Sequence, residues 1–242
     1  MRGIIVKIVS NEYTVKCENE YIICKPLGIF RYQNMVPKVG DYVMIEKNTI
    51  IAIEERKNDL IRPYVANIDK VFIMTSLTEP SLNLHLLDRL LVSSEWLDLH
   101  AVLLFTKADL VNLEEYQEMI SYYEKIGYTI YILPRDMESI KKEISGCVCT
   151  LAGQSGVGKS TFVNHLNNKL NLKTDVISKA LGRGKHTTRH TELLEVANGY
   201  IVDTPGFGTL DLDMSLQGLA DGFREFFQTK CKFSSCLHLN EP

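Results

Sequence analysis

Residues 147–162 read Cys-Val-Cys-Thr-Leu-Ala-Gly-Gln-Ser-Gly-Val-Gly-Lys-Ser-Thr-Phe. The apolar run ending at Ala152 predicts a buried strand, and the pattern from Lys159 to about Leu166 predicts a helix. Between them, Gly153, Gln154, Ser155, Gly156, Val157, Gly158, Lys159 and Ser160 match the phosphate-loop pattern G-x-x-x-x-G-K-S in full. Glycines let such a loop curl until successive N–H groups point at phosphate oxygens, and the positive end of the following helix adds to them. Lys159 would neutralise the β and γ phosphates and Ser160 would ligate Mg²⁺. Thr161 follows them among the expected nucleotide-binding residues.

Two further motifs end predicted strands. Asp203-Thr204-Pro205-Gly206 follows the apolar run Tyr200 to Asp203. There Asp203 would hold Mg²⁺ through water, and the Gly206 amide would sense the γ-phosphate. Thr106-Lys107-Ala108-Asp109 ends the strand predicted for Ala101 to Phe105. A carboxylate at Asp109 can accept from both N1–H and the exocyclic amine of guanine. Adenine offers neither donor in that arrangement, so an unpaired carboxylate would reject it. Thr106 stands where most GTPases carry asparagine, keeping a hydroxyl but losing an amide, which predicts a weaker contact with guanine N7 or the phosphate loop. The usual second base-reading motif, a Ser-Ala pair, is not evident in Leu133-Pro134-Arg135-Asp136. Small GTPases place the phosphate loop first and the base reader late. Here the base reader comes first, so the order reads as a circular permutation.

Between phosphate loop and Asp203, residues 178–190 hold Lys179, Arg183, Lys185 and Arg189 with no acid, plus His186 and His190. The stretch is either a solvated loop or a surface for a phosphate backbone. It lies where the first switch belongs, so Thr187 or Thr188 would complete the Mg²⁺ shell with triphosphate bound. A water-positioning glutamine often follows D-x-x-G, but here the position is Phe207. His186 is a candidate for that role, weighed against a plain surface or RNA-contacting histidine. Slow hydrolysis by the isolated protein is the expectation.

The bulk numbers bound these readings. The 242 residues carry a formal charge of -3, with 45% hydrophobic and 24% charged residues. That balance excludes wholesale electrostatic adhesion to nucleic acid and leaves only local contacts. No run approaches the roughly 18 apolar residues of a membrane span, and Lys7 and Glu12 interrupt any leader-like block. A cytoplasmic protein with no membrane partner, and a monomer, are the expectations. Of the six cysteines, Cys17, Cys24, Cys147 and Cys149 read as packing residues. Cys231 and Cys236 form C-x4-C-x-H with His238, a plausible metal cluster that needs one further ligand for tetrahedral Zn²⁺.

Residues 1–62 alternate apolar and polar at Ile4/Val6/Ile8, Tyr13/Val15/Cys17, Tyr21/Ile23, Val43/Ile45 and Ile51/Ile53. About five short strands predict a β-barrel, with an OB-fold the best size match and an SH3-like barrel still open. From the boundary at Arg62-Pro63, residues 63–210 alternate strands and helices, including a helical face of Leu84, Leu87, Leu90, Leu91 and Leu97. Such a pattern predicts an α/β P-loop domain with a parallel-rich sheet and its ligand at the carboxyl ends of the strands. Residues 211–242 form a third region, partly helical and then cysteine-bearing.

The barrel, the permuted motifs, Gly182-Arg-Gly-Lys-His-Thr-Thr188, Asp203-Thr-Pro-Gly-Phe207 and Cys231-Lys-Phe-Ser-Ser-Cys236-Leu-His238-Leu-Asn-Glu-Pro242 together resemble the RsgA (YjeQ) family of ribosome small-subunit-dependent GTPases. The resemblance runs over essentially the whole chain. It implies an OB-fold, a permuted GTPase domain binding GTP/GDP and Mg²⁺, and a C-terminal zinc-binding domain. It also implies late maturation of the small ribosomal subunit through contact with its rRNA, with hydrolysis stimulated by that subunit. The family's zinc proteins place a further cysteine just after Glu-Pro, so the fourth ligand of the one Zn²⁺ lies outside this chain as written. Three other readings stand beside this one: a permuted large-subunit factor, a non-catalytic RNA-binding module, and a P-loop ATPase or kinase.

Overall fold

A computed structural model describes residues 1–32, 35–61, 63–167, 191–203, 214–227, 231–233 and 236–239, without the side chains of residues 31 and 203. Alternation in the first segment builds strands β1 (Arg2–Val9), β2 (Glu12–Cys17), β3 (Glu20–Pro26), β4 (Tyr42–Glu46) and β5 (Thr49–Ile53), with a one-turn helix α1 (Ile29–Tyr32) after β3. β1 pairs antiparallel with β2 and β4, β3 pairs parallel with β5, and β5 returns antiparallel to β4. The circuit β1-β2-β3-β5-β4-β1 is a closed five-stranded barrel of the OB type. Ile5, Val15, Cys24, Val43 and Ile50 fill it at 0% exposure. Two apolar pairs of the alternation depart from the core face: in β5 Ile50 is the buried residue and Ile51 is 40% exposed, and Tyr21/Ile23 also turn outward. Register sets Cys24 opposite the buried Tyr13, so Tyr21 and Ile23 point outward, 57% and 58% exposed.

The linker is fastened by charge. The buried carboxylate of Asp41 accepts two hydrogen bonds from Arg56, at 2.7 and 2.8 Å, and one from the Lys38 amide at 2.7 Å. Arg56 also donates to Asp59, which Lys38 contacts from the other side. Hydrogen bonding to Asp41 holds the Arg56 pKa well above its usual value. The short strands β6 (Asp59–Leu60) and β7 (Val65–Ala66) pair here, and Gly40, at φ +89°, passes so close that a Cβ would lie 2.1 Å from the Ala66 carbonyl oxygen.

The second segment runs β8 (Lys70–Ser76), α2 (Leu84–Trp96), β9 (His100–Thr106), α3 (Gln117–Lys125), β10 (Thr129–Ile132), α4 (Met137–Ile144), β11 (Val148–Ala152), α5 (Lys159–Leu166), β12 (Glu192–Val196) and β13 (Gly199–Asp203). Its sheet order is β10-β9-β8-β11-β13-β12, parallel except for β12. Successive residues of a central strand serve opposite faces. Val71 and Ile73 of β8 join Leu87, Leu90, Leu91 and Ile120 on one side. Phe72 and Met74 join Ile140, Ile144, Phe162 and Val163 on the other. The expected α2 face is corrected at one end, where Leu84 is 43% exposed.

Helices α6 (Leu216–Asp221) and α7 (Arg224–Phe227) then lie on α2. A Cβ at Gly218 would stand 2.5 Å from the Trp96 ring and one at Gly222 2.5 Å from Val92, so these glycines set the approach. Arg224 completes the joint with an ion pair to Glu95 at 2.7 Å. Among the described residues no helix is long and apolar enough to cross a membrane. Strand β12 also bridges to β1 at Lys7 and Glu192, which makes barrel and α/β layer one continuous sheet.

Candidate functional site

Adjacent parallel strands β8 and β11 carry helices on opposite faces, so a crevice opens at their carboxyl ends. The phosphate loop leaves β11 there. Gly153, Gly156 and Gly158 all adopt positive φ (137°, 85° and 102°), which side-chain-bearing residues adopt rarely. At Gly153 there is a second constraint, because a Cβ would meet the Met74 carbonyl oxygen at 2.2 Å. Gln154 is half-buried, Ser155 and Gly156 are exposed, Val157 anchors the loop in the core, and the buried Ser160 sits in the first turn of α5 with exposed Thr161 beside it.

Lys159 turns back into its own loop. Its ammonium donates to the carbonyls of Gly153 at 2.7 Å and Gln154 at 2.8 Å. Neither partner carries charge, and burial pulls its pKa down to about 8. A phosphate delivered to this loop would supply the missing counter-charge.

The turn expected to read the base begins where β9 ends. Thr106 is buried, and its hydroxyl donates to the Val157 carbonyl at 2.8 Å, so β9 is tied to the phosphate loop. Threonine Oγ1 makes that bond without the amide. Lys107 follows at φ +60°, and its ammonium donates to the Glu79 carbonyl. Ala108 is buried with its N–H on the Leu133 carbonyl at 3.2 Å, while Asp109 is exposed in the turn after β9.

Two supports escaped sequence reasoning. The segment after β8 reaches the site through Glu79 and through Pro80, whose ring lies 3.6 Å from the Cβ position of Gly156. Its one signal was a strand end followed by Glu-Pro. Leu133-Pro134-Arg135-Asp136 lacks the Ser-Ala pair, yet it stands beside Ala108, stabilised by Asp136 accepting from the Ile132 amide at 2.8 Å.

Strand β13 runs parallel to β11 through Tyr200 opposite Val148 and Ile201 opposite Cys149, so its backbone ends at Asp203 on the phosphate-loop side. The Asp203 side chain, Gly206, Phe207, His186, Thr187, Thr188 and the rest of the basic stretch 178–190 lie outside the described residues.

At the other end of the chain, ligand atoms of Cys231, Cys236 and His238 lie within 4.8 Å of one another. The Cys231 sulfur is 3.6 Å from His238 Nε2, and the His238 ring stacks on Phe226 at 3.9 Å. Two thiols and an imidazole at these separations fit a tetrahedral zinc ion, with Zn–S of about 2.3 Å and Zn–N of about 2.0 Å.

A closed OB barrel followed by a P-loop sheet in this strand order defines a circularly permuted GTPase. Residues 53–213 match the family model described as RsgA GTPase, and residues 2–50 match that of the RsgA N-terminal domain. The chain belongs to the RsgA GTPase family. It is 42% identical over 254 residues to the small ribosomal subunit biogenesis GTPase RsgA of Clostridium botulinum (strain Eklund 17B / Type B), covering 100% of this chain and 88% of that one. It is 44% identical over 254 residues, with the same coverage, to that of Clostridium novyi (strain NT). Among solved structures it is similar to YjeQ from Thermotoga maritima, with TM-score 0.84 and 34% identity over 100% of this chain and 87% of that one. It is also similar to YloQ, a circularly permuted GTPase, with TM-score 0.80 and 33% identity over 100% of this chain and 84% of that one.

Proposed function

We propose that this chain binds the small ribosomal subunit, assists its late maturation and hydrolyses GTP to GDP and phosphate under stimulation by that subunit. The observation carrying the reading is the Thr106–Val157 hydrogen bond, which joins a base-selecting turn and a phosphate loop from different strands into one nucleotide site. The names of its relatives supply the small subunit.

In this reading Asp109 accepts from guanine N1–H and the exocyclic amine, and Lys107 packs over the site's rim. Residues 153–161 hold the phosphates through backbone N–H groups, and Lys159 moves from its loop carbonyls to the β and γ oxygens. Hydrolysis breaks the γ-phosphorus bond to the bridging oxygen as water attacks in line, leaving GDP and phosphate. Mg²⁺ supplies charge neutralisation when bound, and Ser160, Asp203 and Thr187 or Thr188 are its proposed holders. Gly206 senses the γ-phosphate. His186 is the proposed water-positioning group, because Phe207 cannot hydrogen-bond.

Cys231, Cys236 and His238 would hold a structural Zn²⁺, with the barrel, residues 178–190 and the C-terminal region contacting rRNA. The working division is 1–62, 63–210 and 211–242, in a cytoplasmic monomer. Phosphate release measured with purified small and large subunits tests the proposal. Stimulation by the small subunit alone is expected, and equal rates with both or with neither would refute it.

A further inference from the structure

The outward face of the barrel is occupied by carboxylates from the neighbouring strand. Lys7 pairs with Glu192 of β12 at 2.6 Å, and Lys16 pairs with Glu195 at 2.5 Å. The exposed Tyr21 hydroxyl donates to the second oxygen of Glu195 at 2.9 Å. Burial alone would lower the Lys16 pKa, yet the hydrogen bond to Glu195 and the facing phenols hold it above the usual lysine value. The backbone joint beneath is slight, one register pair of Lys7 with Glu192. A charged anion therefore sits on a cation at a joint made mainly by side chains.

Behind that pair a cleft of about 540 Å³ opens between the barrel and the β12–β13 hairpin, lined by Arg2, Lys16, Tyr42, Glu195, Asn198 and Tyr200 among others. It lies well within the roughly 300–1,000 Å³ range of small-ligand sites. The Arg2 guanidinium lies 4.6 Å from the Tyr42 ring centre, and the Lys16 ammonium lies 5.7 Å from that of Tyr200. Half-buried aromatic rings beside cations are the chemistry by which single-stranded nucleic acid is held, the rings taking bases and the cations phosphates. Glu195 presents to Lys16 the acceptor and charge that a phosphate oxygen would present.

We propose that this cleft binds one unstacked nucleotide of a single RNA strand, its base against the tyrosines and its phosphate taking Lys16 from Glu195. Seating the nucleotide parts Glu195 from the barrel. Because β12 and β13 lead directly to Asp203, strand binding then bears on the nucleotide site. The inference rests on the ribosomal reading for the source of the strand, but its test does not.

The test uses the full chain saturated with GDP and a labelled oligouridylate of about twelve nucleotides, within the span of one OB-fold. Glu195→Gln is expected to tighten binding about two- to fivefold by removing the competing ion pair. Adding Lys16→Met should cancel that gain, and Tyr200→Leu should weaken binding about fivefold or more. Since Tyr200 is half-buried, thiouridine crosslinks on the unmodified protein give an independent readout, expected at Tyr42 or Tyr200. An unchanged affinity in Glu195→Gln, or crosslinks mapping wholly elsewhere, would overturn the proposal. Free uridine monophosphate competing as well as the oligomer would overturn the strand assignment. Subunit-stimulated hydrolysis is a separate measurement, so the two readings can fail independently.

Discussion

The Thr106 hydroxyl reaches the Val157 carbonyl at 2.8 Å and thereby ties the Thr106–Asp109 turn, the proposed base reader, to the phosphate-loop segment 153–160. The bond is buried, so its loss leaves an acceptor without a partner. Thr106→Val keeps the shape and removes the donor. GDP affinity is expected to fall about fivefold, near 1 kcal/mol, with secondary structure intact. Titration with a fluorescent GDP analogue reads this directly, and an unchanged affinity would remove the coupling role.

Asp109 is exposed in the turn after β9, and a guanine read by it is expected to cover it. Asp109→Asn reverses one donor–acceptor pairing with guanine. GDP binding should drop by about a hundredfold or more while xanthosine diphosphate gains. Competition between the two nucleotides decides it, and retained guanine preference would exclude this carboxylate as the selector.

Lys159 gives a pH signature. In the free protein its pKa is drawn down to about 8 by burial, and a bound diphosphate would raise it. The complex then holds more protons than the free protein, so affinity is full below pH 8 and falls as pH rises above it. The limit is about tenfold per pH unit until the bound-state pKa is reached. Calorimetry in buffers of different ionisation enthalpy should show proton uptake on GDP binding above pH 8. A flat profile across that range would contradict the assignment.

Removing one member of the Arg56–Asp41 pair strands a carboxylate at 0% exposure. Arg56→Met should destabilise the fold by about 3–5 kcal/mol. Thermal unfolding measures the loss, and the variant should still bind GDP at low temperature, since Arg56 is remote from the crevice in sequence and sheet position.

Replacing Cys236 by serine removes one of three converging donors. Zinc measured by elemental analysis of the chelator-washed protein should fall to background, as should that of His238→Ala. GDP affinity should hold, because the phosphate loop draws no support from Cys231, Cys236 or His238 in the described contacts. Zinc content equal to the parent's would show that the cluster is not the metal site.

Much of the molecule is legible in its amino-acid order. Strand β11, the phosphate loop and α5 lie where the pattern of residues 147–166 predicts them, because glycine, apolar alternation and helix periodicity act locally. The barrel's strands are equally legible, but their sidedness is not. Tyr21 and Ile23 look like core residues in sequence, and only pairing with β2 turns them outward. The support from Glu79, Pro80 and Leu133 is hidden because it comes through backbone carbonyls and ring edges, which carry no residue signature.

The chain's sequence by itself determined a phosphate-loop pattern, a Thr-Lys-Ala-Asp turn and a Cys-Cys-His trio, and their permuted succession. Each is set by residues within a few positions of one another, where local conformation and donor chemistry suffice. Tertiary structure alone decided that Thr106 would hold the phosphate loop and that Glu195 would sit on Lys16 across the barrel joint. Those contacts join residues 51 and 179 positions apart in the chain. Only sheet pairing and the free energy of burying both layers bring them within reach.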